Sequence, residues 1–320
     1  MRYLLITLMA LVLLPPAAWA QAYPTRGITL VLPYPPGSGL DVLARDIAGH
    51  MAKKYNQPVV VDNKSGASGN IGTEFVARAK PDGYTLVLTT NAPLLFNKFS
   101  IPMTFDPYKD LEPVVLTSEA RNSLAVADNL PVKTVAEFVA YAKANPGKLS
   151  YASSGNGSPH HFAGEYLKDV AGIDMTHVPY RGSVPAMQDL IAGQIPAGFI
   201  TYGNILPYAK DGKVRVLALV GDTRSELAAD VPLIVEAVPQ YVSAPNLWNG
   251  ILAPAGTPRE IILKLNKDIN EILNDPQLRQ RQAELQSMIL GGPPEALTEK
   301  MKKEAAVADK LAAKIDMRVQ

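Results

Sequence analysis

The chain alternates between short apolar runs and longer amphipathic stretches. Three early runs, at Ile28–Leu32, 59–61 and 84–89, are rich in β-branched and aromatic residues and predict buried strands. Between them, apolar residues such as Leu43 and Ile47 recur at helical spacing. Strands that alternate with helices are typical of a parallel sheet with helices on its faces. The pattern therefore predicts an α/β fold.

One arrangement of strand, loop and helix occurs in each half of the chain. In the first, the strand Ile28–Leu32 leads into a Pro- and Gly-rich loop at 33–40, and Asp41 is predicted to cap the helix that follows. In the second, the strand Leu149–Ser153 leads into a Gly/Ser loop and a helix from His160. The exposed N–H groups and the dipole of such a helix start favour an anion, although a plain connecting turn is the alternative. Two such loops facing each other would form a cleft.

Composition excludes several classes of function. The chain has 320 residues, a formal net charge of +1 and no cysteine. Near-zero charge gives no electrostatic basis for binding nucleic acid or an anionic membrane. Without cysteine there can be no disulfide, thiolate chemistry or cysteine-based zinc site.

The N-terminus has the pattern of a secretory signal peptide. Arg2 precedes an apolar run at 3–14, and Ala18, Trp19 and Ala20 form an A-x-A cleavage site. The run is too short to predict a membrane span. We expect a signal peptide at 1–20, a mature chain from near Gln21, and an exported, periplasmic protein that does not insert into the membrane.

No catalytic or cofactor motif is complete. Val42 stands where the pattern G-x-G-x-x-G would need its last glycine, and no phosphate-binding P-loop or metal-binding H-E-x-x-H motif is present. Ser158 is close in sequence to His160 and His161, but this spacing does not place a hydroxyl against an imidazole nitrogen. The sequence therefore predicts no enzyme activity, no metal and no cofactor.

The two histidines at the start of the second helix invite different readings. A helix N-terminus disfavours a charged imidazole, so at least one should be neutral and able to donate a hydrogen bond to a ligand. We assign that role to His160 and expect His161 to cap the helix or face solvent. Tyr34 and Tyr202 are candidates to line an apolar part of a pocket.

Several blocks of the mature chain resemble one family throughout its length. They are PYPPG at 33–37, VVDNKSGASGNIG at 60–72, AKPDGYTL at 79–86, YASSGNGSPH at 151–160, GIDMTHVPYRG at 172–182 and LAPAGTP at 252–258. Together they resemble the Bug (TctC-like) extracytoplasmic solute-binding proteins of tripartite tricarboxylate transporters.

The resemblance implies a type II periplasmic-binding-protein fold of the Venus-flytrap kind. Each of its two lobes would be a mostly parallel sheet flanked by helices. Lobe 1 would comprise residues 21–120 and 226–320, and lobe 2 residues 121–225. We expect a monomer that binds a small-molecule carboxylate and the membrane subunits of the transporter, with no nucleic-acid partner.

The resemblance also implies a ligand site between the lobes, in which loop amides and hydroxyls hold a carboxylate. The residues expected to bind it are Tyr34, Pro36, Gly37, Ser38, Gly39 and Asp41 in the first loop; Ser153, Ser154, Gly155, Ser158 and His160 in the second; and Ser68, Asn70, Asn91, Thr201 and Tyr202 elsewhere.

The sequence leaves the ligand and the role partly open. The family's usual pair of adjacent glycines is split here as Gly37 and Gly39, and Thr201–Asn204 stands where many members have an acidic residue. We expect a receptor for a dicarboxylate; a tricarboxylate, an amino acid or an aromatic, phthalate-like acid also fits. An input domain of a membrane sensor kinase is the alternative role, and a hydrolase that uses Ser158 and His160 is a second rival.

Overall fold

The computed structural model describes residues 23–242 and 245–313. The predicted signal peptide at 1–20 and its cleavage site lie outside the described residues. Among the residues within these limits, no helix is long and apolar enough to cross a bilayer.

The first sheet has six strands in the order β11-β4-β10-β3-β1-β2. Strands β1 and β2 pair in parallel, as do β1 and β3, whereas β10 and β11 run antiparallel to their neighbours. The bounds are β1 (Ile28–Leu32), β2 (Val59–Asn63), β3 (Thr85–Thr90), β4 (Leu111–Ala120), β10 (Leu247–Pro254) and β11 (Ser287–Ile289).

The second sheet has five strands in the order β7-β6-β8-β5-β9. Strand β6 is parallel to β7 and β8, and β5 is antiparallel to β8 and β9. The bounds are β5 (Asn122–Ala127), β6 (Leu149–Ser153), β7 (Met175–Pro179), β8 (Ala197–Thr201) and β9 (Val214–Leu219).

Helices flank both sheets. They are α1 (Gly39–Tyr55), α2 (Asn70–Ala77), α3 (Val135–Ala144), α4 (Pro159–Ala171), α5 (Ser183–Ile191), α6 (Tyr202–Lys210), α7 (Ile234–Ala237), α8 (Arg259–Leu273), α9 (Pro276–Glu284) and α10 (Pro294–Ala312). Short helical turns at Ala67–Gly69, Ala92–Phe96, Asn97–Phe99 and Glu226–Ala228 complete the list.

The two-lobed α/β fold is confirmed, but the sheets are mixed rather than mostly parallel. The antiparallel pairs arise where the chain passes between the sheets, because β4 runs directly into β5 and β10 returns between β3 and β4. Every strand of the second sheet falls within 122–219. The exact lobe boundaries at 120/121 and 225/226 remain a prediction.

The sequence pattern misjudged one strand. We predicted a buried strand at 59–61, but β2 is an edge strand and Val60 is 58% exposed. Apolar composition alone does not reveal whether a strand has one neighbour or two.

Packing between β6 and α4 depends on a glycine in the helix, Gly164. Tyr151 of β6 is fully buried, and its hydroxyl donates a hydrogen bond to Glu165 at 2.7 Å. The ring lies over Gly164 of α4, where an added Cβ would come within 2.2 Å of a ring carbon. The glycine therefore lets the helix approach the sheet at this point.

We expect Gly164→Ala to destabilise the protein by about 1–3 kcal/mol, because the methyl group overpacks against Tyr151. Urea unfolding measures the difference. The matched control is Gly49→Ala in α1, where an added Cβ has nothing within 4 Å. That change should stabilise the protein by about 0.5–1 kcal/mol through helix propensity. Equal stability of the two variants would contradict this account of the packing.

Candidate functional site

A cavity lies between the two sheets. Lobe 1 contributes the loop before α1, the ends of β3 and β4, and the starts of β10 and β11. Lobe 2 contributes the starts of α4, α5 and α6. Its polar and aromatic lining comprises Tyr34, Ser38, Ser68, Thr90, Ser118, Ser154, Ser158, His160, Ser183, Thr201, Asn204, Asn249, Gln282 and Ser287.

The first loop is shaped by Asp41, although not in the way we predicted. The helix cap is Ser38, whose hydroxyl accepts a hydrogen bond from the Asp41 amide. The Asp41 carboxylate instead turns back into the loop, where it accepts bonds from the Gly37 amide at 3.2 Å and from Asn63 at 3.2 Å. Arg45 donates two further bonds, each at 3.0 Å. Asp41 therefore stabilises the loop from behind and does not line the cavity.

The environment of Asp41 keeps it ionised. Burial alone would raise the pKa of its carboxyl group, but the hydrogen bonds from Arg45, Gly37 and Asn63 outweigh burial and lower the pKa below its ordinary value. A charged Asp41 accepts all of these bonds at neutral pH.

In the second loop, Ser158 caps α4 by accepting the amide of His161, and His160 projects into the cavity wall. The two ring nitrogens of His160 lie 2.7 Å from the Ser154 hydroxyl and 3.2 Å from the Thr201 hydroxyl. Burial lowers the pKa of His160 to about 4, so the ring is neutral at physiological pH. The cause is burial and not the helix N-terminus on which the prediction rested.

Of the two roles expected for His161, its side chain does not face solvent but hydrogen-bonds the loop just before α4. Its ring stacks on His177 with centroids 3.8 Å apart, and its Nδ1 accepts the Gly157 amide at 3.1 Å. Burial lowers the pKa of His161 to about 2 and that of His177 to about 3. The two histidines therefore hold the second loop in place through hydrogen bonds to Gly157 and Ser153.

Residues from opposite lobes touch across the cavity. The Gly39 amide, at the start of α1, donates to Asn204 Oδ1 of α6 at 3.3 Å. The Ser68 hydroxyl donates to the Asn156 carbonyl at 2.6 Å. The lobes are therefore closed on each other at these loops.

Half of the predicted site residues line this cavity. These are Tyr34, Ser38, Gly39, Ser68, Ser154, Ser158, His160 and Thr201. The Tyr34 hydroxyl is paired with Thr90 at 2.6 Å. The binding role of these residues remains a prediction.

The other half lie around the cavity without lining it. Pro36 and Gly37 are exposed on the loop, and Asp41 is turned away from the cavity. Asn70 pairs with Asn97, and Asn91 with the Asn246 carbonyl. The remaining three are Ser153, which pairs with His177; Gly155, which lines an adjoining opening; and Tyr202, which is buried in the lobe 2 core.

Sequence reasoning missed the part of the cavity that we call the strand floor, formed by Ser118, Ala120, Leu247, Asn249 and Ser287. Sheet register brings them together, since Asn249 lies opposite Ser118, and both Leu247 and Ser287 lie opposite Ala120. Asn249 gave a weak signal as an amide inside an apolar strand. Nothing in the local sequence pointed to Gln282, which lies on the polar helix α9.

The cavity wall carries no formal charge at neutral pH. No Asp, Glu, Lys or Arg is among its lining residues. Burial raises the pKa of Tyr34 above its ordinary value, so the phenol also stays neutral. Across the described part of the chain, no group of acidic or histidine side chains could hold a metal ion.

The buried histidines predict a loss of stability in mild acid. Below the ordinary His pKa of about 6.5 the unfolded chain takes up protons that the folded protein cannot, so the free energy of unfolding falls as pH falls. The window runs from about pH 6.5 down through about pH 4, where His160 begins to take up its proton in the folded state. Each histidine contributes up to about 1.4 kcal/mol per pH unit.

We expect His161→Phe, which keeps the stack on His177, to reduce this pH slope by about one third. Urea unfolding at several pH values measures the slope. Loss of the hydrogen bond from Gly157 lowers stability at every pH, so the slope and not the absolute value is the test. An unchanged slope would contradict the assignment of a buried neutral His161.

Comparisons with known proteins agree with the fold. The chain matches the model of the tripartite tricarboxylate transporter family receptor, TctC, over residues 43–289. Protein BugT of Bordetella pertussis is 36% identical over 259 residues, which cover 79% of this chain and 78% of BugT.

Two similar solved structures carry ligands. R. palustris Rpa4515 with adipate is 33% identical, with a TM-score of 0.86 over 93% of this chain and 100% of that one. MatC from Rhodopseudomonas palustris with bound malate is 30% identical, with a TM-score of 0.85 over 91% of this chain and 100% of that one. The family model describes a receptor, and the similar structure of BugD, 31% identical with a TM-score of 0.82 over 93% of this chain and 100% of that one, is that of a periplasmic binding protein. Both agree with the prediction that the chain is not an enzyme. The chain belongs to the TctC/Bug family of periplasmic solute-binding receptors.

Proposed function

We propose that this receptor captures a small organic acid in the interlobe cavity and delivers it to the membrane subunits of a tripartite tricarboxylate transporter. The observation that carries the proposal is an uncharged cavity between the lobes, lined by the N-terminal residues of several helices. The starts of α1, α4, α5 and α6 all contribute lining residues. Export through the predicted signal peptide is part of this proposal.

Helix starts can stabilise a carboxylate without a positively charged side chain. The first N–H groups of each helix lack intrahelical partners, and the helix dipole adds a partial positive charge. Hydroxyl groups of Ser38, Ser154 and Ser158 lie at the same wall. Such donors could replace the water around one carboxylate in a closed cavity.

A dicarboxylate is the first candidate ligand. The similar structures that hold adipate and malate support this choice. The apolar lining residues Leu40, Leu43, Ala92, Val184 and Leu285 suit a hydrocarbon segment between two polar ends.

The proposal is tested by thermal unfolding and calorimetry of purified protein that has been unfolded and refolded to remove any bound ligand. The panel contains dicarboxylates, tricarboxylates, amino acids and phthalate, with matched amines as controls. An acid at about a hundred times its dissociation constant should add about 2.7 kcal/mol of stability. If no carboxylic acid binds, the proposed receptor function is wrong.

Closure of the lobes should contribute to affinity. We expect Asn204→Ala to weaken ligand binding several-fold, because the closed form loses the bond between Gly39 and Asn204, worth about 0.5–1.5 kcal/mol. Asn129→Ala, on an exposed turn of the same lobe, is the control. Calorimetry measures both variants. If Asn204→Ala binds as tightly as the control, the contact does not stabilise the closed form.

A further inference from the structure

Two buried amides, Asn249 of the strand floor and Gln282 of α9, each have one atom without a hydrogen-bond partner among the described residues. Asn249 is 4% exposed and Gln282 is 1% exposed, and both line the cavity. Asn249 donates through Nδ2 to the Ser118 hydroxyl at 2.9 Å, but its Oδ1 has no partner among the described residues. Gln282 Nε2 has none either. A buried amide atom without a partner costs about 1–3 kcal/mol, so these atoms indicate a ligand group that would satisfy them.

The unpaired atoms are one acceptor and one donor. Ser118 occupies the Asn249 nitrogen, so Asn249 presents its oxygen and Gln282 presents its nitrogen. The pair therefore offers one acceptor and one donor. The complementary ligand group both donates and accepts, as a carboxamide or a protonated carboxyl does, whereas a carboxylate only accepts.

The surroundings oppose a second negative charge at this position. Gln282 lies in the last turn of α9, where the helix dipole is negative. No cationic side chain lines the cavity. Burying a carboxylate without a paired cation or a full set of donors is costly, so the charged form is disfavoured here.

Six charged groups on the elements around the strand floor form ion pairs with one another, whereas Arg279 and Glu284 of α9 hydrogen-bond to Asn274 and Gln280. Each of these ion pairs spans 3.0–3.2 Å, and none of its members lines the cavity. They are Arg281 of α9 with Asp46 of α1, Glu119 of β4 with Lys300 of α10, and Arg45 with Asp41 within α1.

The two titratable groups of the cavity wall are His160 and Tyr34. The pKa of His160 is lowered to about 4 and that of Tyr34 is raised, so neither titrates between pH 6 and 8.

We propose that Gln282 and Asn249 determine specificity by binding the second end of the ligand in an uncharged form. The inference rests on the proposed function, in which the first end is a carboxylate held by the helix starts. The ligand is then a half-amide of a dicarboxylic acid, or a dicarboxylic acid bound as its monoanion. In the monoanion the carboxyl O–H donates to Asn249, and its C=O accepts from Gln282.

A set of matched acids distinguishes a half-amide ligand from a diacid that binds as its monoanion. The refolded protein is titrated calorimetrically at pH 6, 7 and 8 with adipate, its half-amide adipamate, and hexanoate. A shorter set of succinate, succinamate and butanoate allows for length. Free carboxyl groups have pKa values of about 4, so the monoanion of a diacid falls about tenfold per pH unit in this range.

We expect the half-amide of the better-fitting length to bind with the same affinity at all three pH values and at least tenfold more tightly than the diacid at pH 8. The dissociation constant of the diacid should rise about tenfold per pH unit. The alkanoate, which cannot satisfy either amide, should bind at least tenfold more weakly than the half-amide.

Gln282→Leu keeps the size of the side chain and removes its amide. This variant should lose most of the preference for half-amide over alkanoate while still binding the alkanoate. Gln280→Leu, on the exposed face of the same helix, is the matched control and should keep the preference. The pH series on the unaltered protein tests the proposal even if Gln282→Leu fails to fold.

Failure of the proposal about the second end of the ligand can be distinguished from failure of the proposed receptor function. A diacid that binds at pH 8 as tightly as its half-amide, or a preference that survives Gln282→Leu, overturns the proposal about the second end and leaves the carboxylate receptor intact. Binding of none of these acids, nor of any acid in the wider panel, overturns the receptor proposal and this inference with it.

Discussion

The position of the first helix depends on the buried Asp41 carboxylate. Its bonds to Gly37, Asn63 and Arg45 join the loop, strand β2 and helix α1 at one point. Because the carboxylate occupies the Gly37 amide, the loop folds back on itself. Ser38 and Gly39 are then presented to the cavity, with the start of α1 behind them. Asp41, which the ligand would not contact, thus determines that Ser38 and Gly39 are available to the ligand.

The sequence predicted the elements and the family well, but it predicted the cavity wall only in part. Loop motifs identified Ser38, Gly39, Ser154, Ser158 and His160, since glycines and capping residues mark a helix start locally. Asp41, Asn70 and Asn91 carry the same kind of polar side chain, yet their partners are within their own lobe. Whether a loop side chain faces inward or outward depends on contacts distant in sequence.

The strand floor was even less predictable from the sequence than the loops. Ser118, Asn249 and Ser287 come from three strands whose adjacency is set by antiparallel pairing, with 131 residues separating Asn249 from Ser118. Alternation of apolar and polar residues cannot reveal such a meeting. The same pairing explains why the sheets are mixed.

The direct passage from β4 to β5 leaves Arg121 as the single residue between the strands of the two lobes. Two strands that are each held in a hydrogen-bonded sheet resist bending along their length, so at this crossing a relative rotation of the lobes must be absorbed largely by the backbone torsions next to Arg121. The loops at Gly39 and Ser154 belong to different lobes, so a rotation at this crossing would move them relative to each other. The stiffness of this short crossing would therefore influence how readily the two loops separate.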